Sequence, residues 1–592
     1  MEQRPWQRFY AQDVPRDIAI PDKALQAFLR DSAARHPHRG AVLLSGPQFH
    51  STLSYRAFDL ESDRFAGALR GIGLRRGDRL AISLPNLPQY PVALYGAFKA
   101  GVTVVQINPL YRGEDLAFLL RDSQAKAVVT LTRLYPHVAA VRGQTALEHI
   151  ILTKVADYFP PLWRALYRVA RERREGDTMP AAAGLVTWGR MLRGRALPSA
   201  EGAAPDDLAV LQYTGGTTGR PRGAMLSHRN LAVNAAQGLA WFRDLREGAE
   251  VFLLAVPLFH VYGLLVLNAG VRLAATHLMV LMRMFEARVV AEQVPRWRPT
   301  VFPGVPAMYA AINQLKDIAR HDLHSIRYCL SGAAGLPAEV ARRFEELTGG
   351  RLAEGYGLTE AAPLVAANPI WPGGVRKPGS IGIPMPGTDV RILDLESGTR
   401  DLPPGEAGEL VVRGPQVMRG FWNAPEETRT ALRGGWLFTG DVARADEDGF
   451  LFIEDRKKDM IQVGGLKVYP REIEDLLLEH PLVREAAVVG TPHPIRGETI
   501  VAYLTLATPP AGDAGASLRP KGTSGGGADS VAARREIREW LRGRLPSYKL
   551  PRRIEIVETI PKTLIGKPLR RVLRETAVAA PAVEESGAPE SP

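Results

Sequence analysis

The chain has 592 residues, 45% of them hydrophobic and 23% charged, which is too long for one hydrophobic core and too apolar for a chain disordered throughout, so two or more folded domains are expected. Lysine and arginine outnumber aspartate and glutamate by 75 to 63, a net charge of +12 with a pI near 9.7. That balance suits nucleotides or an anionic membrane surface; with no zinc-finger spacing, RNP-type aromatic motif or isolated basic tail, no nucleic-acid partner is expected, and the single cysteine, Cys329, leaves no internal disulfide.

The chain opens with MEQRPWQRFY, charged and bulky where a secretory signal needs a continuous apolar run, so a cytoplasmic protein is expected. From Gly77, β-rich runs alternate with helical patterns: DRLAISL, YPVALYGAFKAG, VTVVQIN, EDLAFLLRDS and KAVVTL. The rhythm predicts an α/β fold of layered sheets, with parallel strands covered on both faces and a ligand site on the loops at the strand ends. Residues 155 to 175, VADYFPPLWRALYRVARERRE, place Leu162, Trp163, Leu166, Val169 and Ala170 on one helical stripe, with Arg164, Arg168 and Arg171 around it. Such a basic amphipathic helix either packs on the protein with a solvated arginine face, the preferred reading, or rests on an anionic membrane. Peripheral association with the inner membrane face therefore stays open.

Val251 to Val271 carries no charged side chain apart from His260, but Pro257, Gly263, Asn268 and Gly270 interrupt it. It reads as a buried strand, a loop and an apolar helix rather than a membrane span. At EDRKKD, 454 to 459, the apolar pattern gives way and a new series of strand and helix signals begins. This divides a large N-terminal domain, 1 to 455, from a small C-terminal α+β domain, 456 to 575. Between 507 and 530 the composition turns to Pro, Gly, Ala and Ser, which is expected to form a flexible insertion, and 576 to 592 is expected to be a disordered tail.

The most informative segment is YTGGTTGRPRG, Tyr213 to Gly223, directly after the strand-like DLAVLQ. Gly215, Gly216 and Gly219 let the backbone turn sharply and approach an anion, Thr214, Thr217 and Thr218 offer hydroxyls, and Arg222 offers positive charge. A Walker A loop needs GxxxxGK followed by Ser or Thr, which neither this segment nor LIGKP at 564 to 568 supplies, so an ordinary P-loop NTPase is disfavoured.

YTGGTTGRPRG resembles the phosphate loop of the adenylate-forming superfamily of acyl-CoA synthetases, adenylation domains and luciferases. Other motifs of that superfamily follow in order: PLFHVYG at 257 to 263, EGYGLTE at 354 to 360, GWLFTGD at 435 to 441, DRKKDMIQVGGLKVYP at 455 to 470 and PKTLIGKPLR at 561 to 570. The resemblance implies ATP, Mg²⁺ and coenzyme A as ligands and a small C-terminal domain that is mobile. It further implies that Tyr356 stacks on adenine beside Gly357, that Thr359 contacts the α-phosphate, and that Glu360 with Thr214 holds Mg²⁺. Gly332, Ala333 and Ala334 of SGAAGLP leave room for the base, and Asp441 and Arg456 serve the ribose. Lys567 is the cation of the adenylation step, Lys458 stands at the hinge, Gly464 and Gly465 border the pantetheine arm, and His260 is an aromatic gate between the acyl site and the thiol route. One departure is Arg222, where the family usually carries lysine; a planar guanidinium cannot place its donors where an ammonium would.

The reaction this implies is attack of a carboxylate on the α-phosphate of ATP, then displacement of AMP by the thiol of coenzyme A. From RFYAQDVP at 8 to 15 onward the chain is similar to bacterial long-chain fatty acid:CoA ligases. Leu264 stands where some long-chain enzymes carry a gating tryptophan, so medium-chain preference stays open, as do transfer of the acyl group to a carrier protein and the oligomeric state.

Overall fold

The computed structural model describes residues 4–180, 182, 184–197, 202–214, 221–493, 496–507, 528–562 and 568–579. The first large layer is a seven-stranded sheet built from β1 (Arg79–Ser83), β2 (Thr103–Gln106), β3 (Ala127–Leu131), β4 (His149–Thr153), β5 (Leu185–Thr187), β6 (Leu208–Thr214) and β7 (Arg222–Ser227), in the spatial order β5-β4-β3-β1-β2-β6-β7. All neighbours run parallel except the final pair β6 and β7. Leu80, Ala81, Ile82, Val128, Val129, Ile150 and Ile151 are fully buried, so these strands read as continuous apolar runs and not as alternating ones. Helix α1 (Gln89–Lys99) between β1 and β2 is buried along its whole length, whereas α2 (Gly113–Ser123) after β2 begins with Glu114 and Asp115, favourable at a helix N-terminus.

Helix α3 (Pro161–Ala170) packs on the protein with its arginines exposed, but of the expected amphipathic stripe only Trp163 turns inward. None of its residues is buried, and Leu162, Leu166 and Val169 are exposed. The helix is held instead by Trp163 and Tyr167, whose rings lie against Phe49 and Phe159. An aromatic pair at i and i+4 fills more space than the leucines, and it takes the inward position.

Further along, Val251–Leu253 forms a short strand and α4 (Val261–Arg272) a buried helix, the division expected for that apolar stretch. Among the described residues no helix is long and apolar enough to cross a membrane. β8 (Tyr328–Ser331) pairs in parallel with β9 (Arg351–Gly357). A five-stranded antiparallel sheet closes the large lobe with β10 (Trp436–Ala445) and β11 (Leu451–Arg456).

The chain leaves that sheet after Arg456 and enters a different one at β12 (Ile461–Val463) and β13 (Leu466–Val468), which belong with Val483–His493, Gly497–Leu506 and Arg553–Ile556. Helix α5 (Pro470–Leu478) packs there, and Ile461, Val468, Ile473, Leu477, Ile537 and Leu541 form a core separate from that of the large lobe. The α/β expectation, a large layered lobe followed by a small α+β one, therefore holds. Most of the expected insertion and tail lies outside the described residues. At their edges the structure is helical: Ala528–Arg542 is a helix, and α6 (Arg570–Ala579) runs past the expected start of the tail at 576 because Leu573 and Ala577, one turn apart, are buried against Val489, Val501 and Tyr503.

Candidate active site

Strands, and the turns and helix cap beside them, deliver the site. The antiparallel register of β6 and β7 pairs Thr214 with Arg222, so a hydroxyl and a guanidinium stand at the two stems of the loop between them. Arg222 lies over the Phe421 ring, 5.9 Å from its centre, and 3.9 Å from Glu427. β8 and β9 run side by side and end at Gly332 and Ala333, and at Tyr356 and Gly357, respectively. A short helical turn, Thr359–Ala361, then presents Thr359 and Glu360. Ala333 adopts a left-handed backbone, φ 72°, which a small side chain tolerates with least strain. His260 caps α4, its Nδ1 accepting from the Tyr262 amide at 3.2 Å.

The register of β10 and β11 sets Asp441 opposite Arg456, opposed charges on neighbouring strands. Tyr356 Oη donates to Asp441 Oδ2 at 2.5 Å, and Arg456 Nε lies 3.4 Å from Asp441 Oδ1. Burial, together with the Asp441 charge, holds the Tyr356 phenol well above its ordinary value and therefore protonated. Thr439 donates to the Leu410 carbonyl at 2.7 Å and accepts from the Asp441 amide at 3.1 Å, which fixes this part of β10. Burial pushes the Glu360 carboxyl up, with Arg456 and Arg222 acting in the opposite direction. Lys458 is held below its ordinary value by desolvation in the cleft wall and by the nearby Arg456 charge.

These groups surround one cleft of about 550 Å³, lined by Thr214, Arg222, His260, Gly332, Ala333, Tyr356, Gly357, Thr359, Glu360, Asp441, Arg456 and Lys458, all singled out from the sequence. Ala334 falls outside the lining. Gly464 and Gly465 form the positive-φ turn of the β12–β13 hairpin, φ 59° and 83°, also away from the cleft. Gly215, Gly216, Thr217, Thr218, Gly219 and Lys567 lie outside the described residues.

The cleft also contains residues that sequence reasoning passed over. Thr439 and Lys457 sit inside the quoted motifs, and Lys457 Nζ donates to the buried Glu409 at 2.8 Å. Phe421 belongs to no motif, and no local signal marks it. Glu354, the first residue of EGYGLTE, accepts from the Leu336 amide at 3.2 Å and so ties the strand to the SGAAGLP loop. Its burial, opposed by Arg471 of the small lobe, brings its carboxyl up to about 7.

A magnesium ion fits the donor chemistry of this cleft. Among the described residues no three His, Cys, Asp or Glu side chains gather into a self-sufficient metal site. Glu360 and Thr214 nevertheless supply oxygen donors to the cleft. A hard divalent ion riding on phosphates needs only one or two protein oxygens.

Comparison with known proteins shows the family. The model of the AMP-binding enzyme family matches residues 29–422, and that of the AMP-binding enzyme C-terminal domain matches 472–567. The chain belongs to the AMP-binding enzyme family, the adenylate-forming class that its motifs resemble. Within it, a long-chain-fatty-acid–CoA ligase of Bacillus subtilis (strain 168) is 41% identical over 581 residues, covering 97% of this chain and 98% of that one. Among solved structures, the anthranilate CoA ligase AuaEII in complex with anthranoyl-AMP superposes with a TM-score of 0.76 at 28% identity, covering 94% of this chain and 98% of that one. ATP-bound MatB from Rhodopseudomonas palustris gives 0.75 at 28% identity, covering 94% and 99%.

Proposed function

We infer that this chain is a long-chain fatty acid:CoA ligase, converting ATP, a fatty acid and coenzyme A to acyl-CoA, AMP and diphosphate through an acyl-adenylate. The observation that carries the reading is the convergence of Thr214, Arg222, Tyr356, Glu360, Asp441, Arg456 and Lys458 on one cleft from widely separated parts of the chain. The similarity to a long-chain-fatty-acid–CoA ligase along nearly the whole chain supports the substrate class.

The cleft suits a nucleotide in detail. Gly332 and Ala333 leave space for a base beside the Tyr356 ring. The Asp441 carboxylate has acceptor positions left after binding the Tyr356 hydroxyl, enough for the two hydroxyls of a ribose. Thr214 and Arg222, at the stems of the loop, face the phosphates, and Thr359 the innermost one. Magnesium, held by Glu360 with Thr214, would neutralise phosphate charge. An oxygen of the fatty carboxylate forms a bond to the α-phosphorus, the bond from that phosphorus to the bridging oxygen breaks, and diphosphate leaves with the electron pair. No protein nucleophile is needed; Lys567 supplies a fixed cation for the charge that develops, and positioning supplies the rest. The coenzyme A thiolate then attacks the acyl carbonyl and AMP departs, with Lys458 at the hinge, Gly464 and Gly465 beside the pantetheine arm and His260 gating the thiol route.

The test is product analysis. Purified protein is incubated with ATP, magnesium, coenzyme A and, in turn, hexanoate, decanoate, palmitate and oleate, and the products are separated by chromatography. Equimolar AMP and acyl-CoA, formed fastest from palmitate or oleate, are expected. Fastest turnover of decanoate assigns a medium-chain enzyme, AMP without acyl-CoA redirects the second step to another acceptor, and ADP in place of AMP overturns the reading.

A further inference from the structure

Helix α3 carries three stripes at helical spacing. Trp163 and Tyr167 turn inward, with the Trp163 ring 5.6 Å from Phe49 and the Tyr167 ring 5.6 Å from Phe159, and Tyr167 Oη donates to Asp177 at 2.5 Å. Leu162, Leu166 and Val169, at i, i+4 and i+7, face solvent with 68%, 50% and 89% of their surface exposed. Arg164, Arg168 and Arg171 repeat that spacing two residues on, about 200° round the helix, and are exposed as well, so the aliphatic and guanidinium stripes border the aromatic one on opposite sides. Away from the aromatic pair the helix is therefore aliphatic on one side and basic on the other.

The charge around it is one-sided. Between 161 and 174 five arginines face a single acidic residue, Glu172, which Lys154 Nζ engages at 2.5 Å. The next glutamate, Glu175, is taken by Arg283 at 2.5 Å, and beside Arg283 stands Met284, 71% exposed. Helix α3 also follows the carboxyl end of β4, which runs in the same direction as β6, so it lies at the end of the sheet where Thr214 enters the cleft.

We propose that α3 is a docking surface for an anionic lipid bilayer, with Leu162, Leu166 and Val169 entering the acyl boundary and Arg164, Arg168 and Arg171 meeting lipid phosphates. An exposed aliphatic stripe on a helix whose polar face carries arginines is the composition that binds such an interface, through buried apolar area and attraction to anionic headgroups together. A second copy of the chain would bring a like-charged arginine stripe against this one, whereas a phosphate-rich surface brings the opposite charge. The proposal rests on the ligase reading for its purpose, since a long-chain fatty acid is met in a membrane, but the binding itself is measured without any reaction.

Full-length protein is sedimented with vesicles of phosphatidylglycerol and phosphatidylcholine, and separately with phosphatidylcholine alone, in the absence of substrates. Binding to the anionic vesicles is expected, weakening with salt. The triple variant Leu162→Gln/Leu166→Gln/Val169→Gln and the charge reversal Arg168→Glu/Arg171→Glu should each lose about tenfold or more in vesicle affinity. Both variants should retain palmitate-dependent AMP formation in detergent solution, which shows that they are folded. Failure of the unmodified protein to bind, or undiminished binding by the triple variant, overturns the proposal. So does conversion of a dimer to a monomer by the triple variant without vesicles, which would assign the stripe to a second copy. Vesicle binding that is retained while no AMP forms from palmitate sinks the ligase reading and leaves the docking surface standing.

Discussion

Asp455 and Arg456 are neighbours on β11 and point to opposite faces of the sheet, and the two faces use the same residue types to opposite ends. On the cleft side, Arg456 meets Asp441, whose carboxylate also holds the Tyr356 hydroxyl and is otherwise open to the cleft. On the far side, Asp455 enters a closed set. Its oxygens accept from the Arg471 and Arg456 amides at 2.8 and 2.7 Å, and Arg570 of α6 lies 3.8 Å away, itself bound to Glu474 of α5 at 2.6 Å and near Asp459 at 3.4 Å, while Arg574 binds Asp459 at 2.9 Å. One cluster is left with acceptor capacity for a ligand, whereas the carboxylates of the other are engaged internally, with Arg570 Nε buried without an acceptor, and join α5 and α6 to the stretch where the chain changes lobes. Charge clusters of equal chemistry are thus distinguished by what remains unsatisfied.

The comparison can be broken by substitutions on either side. The largest effect is expected at Lys567, the proposed cation of the adenylation step: Lys567→Ala should lower the adenylation rate by about 10³-fold, while thioester formation from supplied acyl-adenylate persists. Equal loss of both half-reactions would remove Lys567 from the first step. In the closed set, Arg570→Ala strands Glu474 and Asp455, both already pushed up by burial, and should cost about 3 kcal/mol of stability in calorimetric unfolding. Asp441→Ala should show the opposite signature, with AMP formation at low ATP down about 100-fold and the unfolding temperature little changed. If both variants lost stability alike, the contrast between the faces would fail.

Glu354 gives a pH-dependent test. Its folded value, about 7, lies above the ordinary carboxyl value of 4.5, so the native state binds more protons than the unfolded one between those limits and stability falls as pH rises through the window. Glu354→Gln should therefore stabilise the protein above pH 7 by at most about 3 kcal/mol and change little near pH 4, as read from denaturant unfolding at the two pH values. The smallest effect is expected at Arg222. Lysine there loses the stacking on Phe421, and the KM for ATP should rise by about threefold in steady-state assays.

Much of the site was legible in the sequence because strand ends carry it as short motifs. Tyr356, Thr359 and Glu360 lie within five residues, and Asp441 and Arg456 are aligned by one hairpin register. Phe421 was not legible, since its place beside Arg222 depends on pairing between Ala224 and Phe421, about two hundred residues apart. Nor was the meeting of Arg471 with the SGAAGLP loop, where its guanidinium occupies the space a side chain at Gly335 would need. Helix α3 illustrates the limit of periodicity: the spacing of Leu162, Trp163, Leu166, Val169 and Ala170 revealed an apolar stripe, but that Trp163 alone of it turned inward, joined by Tyr167, was decided by the aromatic neighbours Phe49 and Phe159.

The most direct test of the account is exchange of labelled diphosphate into ATP by the purified protein with magnesium, in the absence of coenzyme A. Exchange that appears on adding palmitate and vanishes without it is the predicted result, because only a reversible acyl-adenylate formed in the cleft returns diphosphate to ATP. No exchange at saturating palmitate, with ATP intact or split to ADP, would contradict it.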